Sequence, residues 1–272
     1  MLAEIGYLYS AHAVVRADKV QKIMNKNLEL TQTDYKSAIP LKVSLRSNNG
    51  NGAGHDNGAR LDLAFLAREE SLKLVQRVFL SRGVDRPQVV MFAGVDQGNG
   101  CSRTCIGIAE TLAHNVSGSV CLIDANMRTP SLPRYLSVTN HRGLTHALLE
   151  EGPVRSFTKE IRPGSLWLLS SGSSCSDSSS LLKSARLGAR LGELRSEFDY
   201  VLIDVPPLNQ YADAIGLGQL TDGVVLILEA NSTRRESAKK VTESLRASNV
   251  PILGAVLNKR TYPIPQTFYQ RL

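Results

Sequence analysis

The segment Ala93–Thr104 reads AGVDQGNGCSRT, and its residue types suit the binding of a phosphate. Gly98 and Gly100 let a backbone wrap an anion, and a helix starting at Ser102 adds open N–H groups and a partial positive charge. A phosphate-binding loop of the Walker type ends in Gly-Lys-Ser/Thr, where the lysine meets the β- and γ-phosphates and the hydroxyl holds Mg²⁺. Here Asn99 lies between the two glycines, the hydroxyl is Ser102, and the lysine position is Cys101. The chemistry suggested is nucleotide-dependent phosphoryl transfer from which the main cation is missing. The plain alternative for the glycines is a strand-to-helix turn.

Two carboxylates strengthen the phosphate reading. Asp124 closes an apolar run inside IDANMRTP, and Asp204 closes another inside LIDVPP. A carboxylate at the tip of a buried strand is unfavourable unless something cationic meets it. Two such tips suggest a shared Mg²⁺, with Ser102 as its hydroxyl ligand. The alternative is that each aspartate caps the segment that follows it.

The elements that must position these residues are legible in the apolar pattern. Leu61 to Phe79 has helical spacing ending near Gly83. Strands are expected at Pro87–Ala93, Ser119–Asp124, Leu166–Ser170, Tyr200–Asp204, Gly223–Glu229 and Ile252–Asn258. Helices are expected at Ser102–His114, Ser180–Phe198 and Arg234–Ser248. Near-continuous apolar strands separated by helices imply a doubly wound, mainly parallel α/β sheet covered on both faces. Ligands of such sheets bind at the carboxyl ends of strands, so Ala93, Asp124 and Asp204 should converge. Before this unit, residues 1–59 form a weakly ordered N-terminal segment ending in the Gly/Asn-rich stretch Ser44–Gly58. Residues 60–272 form the α/β domain.

The bulk numbers narrow the class. A chain of 272 residues with 42% hydrophobic and 21% charged residues suits one globular domain and a short appendage. Four cysteines without metal-type spacing, and no evident secretory leader, make a reducing cytosol the expected compartment. No apolar run approaches the roughly 20 residues of a membrane span. The net charge of +7 is spread without a dense basic block, which argues for solubility rather than nucleic-acid binding.

The ordered motifs resemble the bacterial tyrosine kinases of capsule and exopolysaccharide biosynthesis, relatives of the deviant-Walker ATPases that include MinD and ParA. The matching stretches are GNGCS, IDANMRTPSLPRY, GLTHALLE, LLSSGS with SLLKS, FDYVLIDVPP, DAIGLGQLTDGVVLILE with its following Thr-Arg, VLNK and TYPIPQTFYQRL. They span about residues 62–272. The resemblance implies a three-layer P-loop fold, ATP or ADP with Mg²⁺, and a membrane chain-length or export regulator as partner. It implies a protein in the cytoplasm, peripheral to the inner face of the plasma membrane. It also implies that Gly98, Asn99, Gly100, Cys101, Ser102 and Arg103 line the phosphates and Mg²⁺. Asp124 and Asp204 would be the metal-linked catalytic carboxylates, Arg128 would lie near the active site, and Asn258 would sit near the base. Copies of such kinases associate through a Glu-x-x-Arg-x-x-Arg helix, where this chain has Glu70, Lys73 and Gln76.

Three departures concern chemistry. Cys101 replaces the lysine, Asn126 replaces the second carboxylate of an Asp-x-Asp pair, and only Tyr262 and Tyr269 remain of a terminal tyrosine cluster. No lysine lies between Lys73 and Lys159, so a replacement cation would be an arginine such as Arg103 or a group from another subunit. Three readings follow: a catalytically impaired kinase relative with a regulatory role, a working autokinase with a replacement cation, or a positioning ATPase of the ParA/MinD kind. A helix N-terminus could also make Cys101 a reactive thiol. Ser170–Ser180 is expected as a solvated loop.

Overall fold

The computed structural model describes residues 11–16, 63–80, 86–173, 178–182 and 184–260. The linker Ser44–Gly58 and the C-terminal TYPIPQTFYQRL lie outside the described residues. In chain order the elements are β1 (Ala11–Arg16), α1 (Leu63–Val78), β2 (Val89–Gly94), α2 (Cys101–Asn115), β3 (Val120–Asp124), α3 (Leu132–Tyr135) and α4 (Leu144–Leu149). A 3₁₀ turn (Val154–Phe157) precedes β4 (Lys159–Arg162), β5 (Leu166–Leu169), α5 (Ser178–Leu182) and α6 (Ala185–Glu197). The chain continues through β6 (Tyr200–Val205), α7 (Asp213–Gly218), β7 (Gly223–Glu229), α8 (Arg235–Ala247) and β8 (Ile252–Arg260).

Among the described residues the strands form one eight-stranded sheet in the order β1-β8-β7-β2-β6-β3-β5-β4. From β8 to β5 every pairing is parallel, whereas β1 and β4 close the two edges antiparallel. The interior strands are apolar on both sides because both faces are covered. Val90 and Phe92 of β2 pack with Val75 of α1 and Ile108 of α2 on one face. Met91 and Ala93 pack with Leu148 of α4, Leu191 of α6, Leu217 of α7 and Val241 of α8 on the other. The result is a three-layer sandwich.

Three elements differ from the sequence expectation. The helix expected over Ser180–Phe198 is two helices, α5 and α6. Ser184 has an extended backbone before α6 (φ −69°, ψ 144°), so the helical pattern is interrupted there. β1 arises from the weakly patterned N-terminal segment and pairs with the far end of the chain. β4 (KEIR) was not foreseen because it is charged and mostly exposed, as suits an edge strand that must resist further pairing.

The connection leaving β2 runs to β3 on one side, past β6. The connection leaving β6 runs to β7 on the other side, past β2. That reversal opens a crevice at the carboxyl ends of β2 and β6, where an α/β sheet takes its ligand.

Candidate nucleotide site

The loop after β2 turns on two left-handed glycines, Gly98 (φ 84°) and Gly100 (φ 82°). Gly100 is the N-cap of α2 and provides no side-chain cap, so the first-turn amides of the helix face the crevice without one. A side chain at Gly100 would also collide with the Asn258 amide. Asn258, buried at the end of β8, donates from Nδ2 to the Asn99 carbonyl at 2.7 Å, and its Oδ1 accepts from the Lys259 amide at 2.8 Å. These bonds tie the loop to β8.

Asn99 points inward as well. Its Oδ1 accepts from the Asp96 amide at 2.7 Å, and its Nδ2 meets Thr233 Oγ1 at 3.4 Å. Thr233 Oγ1 also accepts from the Glu229 amide at 2.8 Å, which ties the loop to the end of β7. On the other flank, Asn209 Nδ2 donates to Asp96 Oδ1 at 3.1 Å, and the Leu208 and Asn209 amides donate to Gly94 and Val95 carbonyls. Asn209 was not singled out by sequence. Its only signal was a polar residue two positions beyond the Pro206-Pro207 pair that closes β6.

Asp124 and Asp204 are register partners on adjacent parallel strands, so they sit side by side on the face covered by α2. Their environments differ sharply. Asp124 accepts from the Asn126 amide through Oδ1 and from the Ser131 and Leu132 amides through Oδ2, each at 3.1 Å. It shapes the turn that follows β3, which is the capping alternative raised by its position. Asp204 is 1% exposed, and neither carboxylate oxygen has a hydrogen-bond partner. The Ser102 hydroxyl and Cys101 thiol face it and pull its pKa down, but without completing a hydrogen bond. Burial dominates and raises the Asp204 pKa; burial and the Asp204 charge together raise that of Asp124.

Cys101 opens α2 directly after the loop. Its thiol is directed inward, where burial first, then the Asp204 and Cys105 charges, raise its pKa well above the ordinary thiol value. Burial thus works against the helix N-terminus and favours the neutral thiol, although the residue as a whole is half-buried. Asn126 is 9% exposed, and its Oδ1 accepts from the amide and hydroxyl of Thr129, both at 3.2 Å. It builds a turn rather than serving as a second acid.

Arg103 and Arg128, the arginines expected near the phosphates, both stand over tyrosine rings. The Arg103 guanidinium stands 5.1 Å from the centroid of the Tyr135 ring. Arg128 pairs with Asp213 at 3.0 Å and lies 4.6 Å from the centroid of the Tyr211 ring. Glu70 pairs with Lys73 within α1, and Gln76 is exposed. Ser170 and Ser171 depart from a solvated loop. Both are buried, and Ser171 bonds Asn140 while Ser170 bonds the Arg142 carbonyl. Residues 174–177 lie outside the described residues.

The buried, unpartnered Asp204 beside Ser102 suits a divalent cation. No group of three or more His, Cys, Asp or Glu side chains gathers in metal-holding geometry among the described residues. A cation there would complete its shell with phosphate and water oxygens, as Mg²⁺ commonly does.

The sheet order, the glycine loop and the paired strand-end carboxylates give a mainly parallel, three-layer α/β fold of the P-loop type. Its homologues are bacterial tyrosine-protein kinases of capsule and exopolysaccharide biosynthesis. Tyrosine-protein kinase YwqD of Bacillus subtilis is 29% identical over 217 residues, covering 79% of this chain and 91% of YwqD. The kinase domain of the Escherichia coli tyrosine kinase ETK superposes with a TM-score of 0.66 at 21% identity, over 85% of this chain and 89% of that domain. The succinoglycan biosynthesis transport protein ExoP of Rhizobium meliloti is 27% identical over 175 residues, 63% of this chain but 22% of ExoP. No protein-family model matches the chain. Among the described residues no helix is long and apolar enough to cross a membrane.

Proposed function

We propose that this chain is a tyrosine-kinase-like protein of polysaccharide biosynthesis whose phosphotransfer is impaired, and that it acts as a regulatory partner in capsule or exopolysaccharide assembly or export. The observation that carries this reading is Cys101. A neutral, inward thiol stands where a Walker loop places its lysine, and it packs toward Asp204. Phosphoryl transfer depends on positioning and on neutralising charge at the transferred group. Removing that cation should slow transfer by several powers of ten, by analogy with the roughly 10³–10⁵ supplied by an arginine finger.

Binding is a separate matter. The amides of Gly98–Ser102 and the first turn of α2 would hold phosphates, with the loop kept open by Asn258. Ser102 and Asp204 would hold Mg²⁺, which when bound neutralises phosphate charge. Loss of one charged contact weakens binding by about 1.5–3 kcal/mol, or roughly ten- to a hundredfold. Arg103 and Arg128 are drawn to Tyr135 and to Asp213 with Tyr211, which weighs against either as a replacement cation. The partner class is suggested by ExoP, a succinoglycan biosynthesis transport protein of which the part similar to this chain is 22%. The same relationship supports a place in the cytoplasm at the membrane face.

The test is calorimetric titration of the purified chain with MgATP. Weak binding, in the range of tens of micromolar to millimolar, is expected. Tight micromolar binding together with turnover to phosphotyrosine would overturn the impaired reading.

A further inference from the structure

The turn 230–234, between β7 and α8, is fastened to the phosphate loop from two directions. Asn99 Nδ2 donates to Thr233 Oγ1 at 3.4 Å. The Ala230 amide donates at 2.9 Å to the carbonyl of Asn258, whose side chain in turn holds Asn99. The residue after Thr233 is Arg234. It is the N-cap of α8 and is exposed, and among the described residues no hydrogen bond, ion pair or ring contact engages it. Other basic residues at this end of the sheet are engaged. Lys259 pairs with Glu229 at 3.1 Å, Arg128 pairs with Asp213, and Arg103 stands over the Tyr135 ring.

The placement of Arg234 is also unfavourable on local grounds. α8 opens with Arg234-Arg235, whereas the partial positive charge of a helix N-terminus favours anions. No side-chain cap bonds its first-turn amides, and the acidic residue of that turn, Glu236, makes no ion pair with Arg234. An anion would complete both the amides and the guanidinium. The sheet order fixes the side from which Arg234 approaches. β7 flanks β2 opposite β6, so the turn borders the phosphate loop on the flank away from Asp204.

We propose that Arg234 is a nucleotide-binding residue whose guanidinium takes the phosphate chain of a nucleoside di- or triphosphate on the flank opposite Asp204. The inference rests on the nucleotide reading of this loop given above. A guanidinium offers phosphate oxygens a planar fork of charge-assisted hydrogen bonds. Arg234 serves retention of the nucleotide; the lysine position at the start of α2 stays uncharged at Cys101, so transfer remains impaired.

The test is calorimetric titration of the purified full chain with MgADP and with MgATP, in the wild type, Arg234→Gln and Arg234→Lys. The glutamine variant should bind both nucleotides about tenfold more weakly, the scale of a lost hydrogen bond to a charged group. The lysine variant should recover most of that loss, and all three proteins should share one Tm without nucleotide. Binding by Arg234→Gln within about threefold of the wild type, the scale of an exposed charge contact, overturns the assignment of Arg234 and leaves the nucleotide reading standing. A wild type that binds neither nucleotide at millimolar concentration overturns both. Failure of the impaired-kinase reading is seen separately, as phosphotyrosine formed by the wild type, and does not alter the comparison of dissociation constants.

Discussion

Replacing Asp204 with asparagine should stabilise the protein at neutral and alkaline pH. Asp204 is 1% exposed and neither of its oxygens is hydrogen-bonded. Burial pushes its carboxyl from the ordinary 3.8 up to about 6. A raised carboxyl favours the folded state most below its unfolded pKa, and that stability is lost as pH climbs through the folded value. At about 1.36 kcal/mol per pH unit, holding Asp204 ionised at pH 8 removes about 3 kcal/mol. An asparagine keeps the shape without the charge, but its buried amide brings unmet hydrogen bonds that cost about 1–2 kcal/mol. The net expectation is a gain of about 1–2 kcal/mol at pH 8 that disappears near pH 4. Urea unfolding of both proteins from pH 4 to 8 measures it, and Mg²⁺ with nucleotide should stabilise only the wild type. Equal stabilities with parallel pH profiles would refute the reasoning, because Asp204 would then not be a charge held in reserve for a ligand cation.

Other outcomes follow from neighbouring contacts. Asn258→Ala removes the donor to the Asn99 carbonyl and should destabilise by about 1–3 kcal/mol while weakening MgATP binding, read by thermal unfolding and calorimetry. Gly100→Ala must adopt φ 82° and displace the Asn258 side chain, so a loss of at least about 1 kcal/mol in urea unfolding is expected. Arg190, buried on α6, donates to the Ala147, Glu150 and Gly152 carbonyls at 2.7–2.8 Å. Arg190→Met should leave those acceptors unmet and lower stability by about 2–4 kcal/mol, with Tm as the readout. The Cys101 thiol, raised by burial and by Asp204, should be alkylated at pH 8 far more slowly than a free cysteine; peptide mapping at matched times checks this.

The alternation of strand and helix was legible because parallel interior strands are apolar on both faces; Val89–Gly94 and Val120–Asp124 are buried throughout. The edges were not. β4 is four charged or half-buried residues, and β1 depends on pairing with β8, some 240 residues later, which no local pattern reveals. At the site, sequence placed Gly98, Gly100, Ser102, Asp124 and Asp204 together at one end of the sheet, since strand tips and loop glycines carry local signals. It could not separate the two aspartates. That Asp124 is satisfied by three backbone amides while Asp204 is left without a partner depends on how the turn 126–132 folds back. Nor could spacing tell that Cys101 points inward and Arg103 toward Tyr135, because helical neighbours diverge by about 100° and only packing fixes which one faces the crevice.

The site has an unpartnered buried carboxylate at Asp204 and a thiol at Cys101, where a Walker loop has its lysine. The direct measurement is phosphotyrosine formation with MgATP by the wild type, by Cys101→Lys, and by Cys101→Lys/Asn126→Asp. A silent wild type is expected, with transfer restored in the lysine variants, most strongly in the double variant. A wild type that phosphorylates tyrosine as fast as its lysine variants would contradict it.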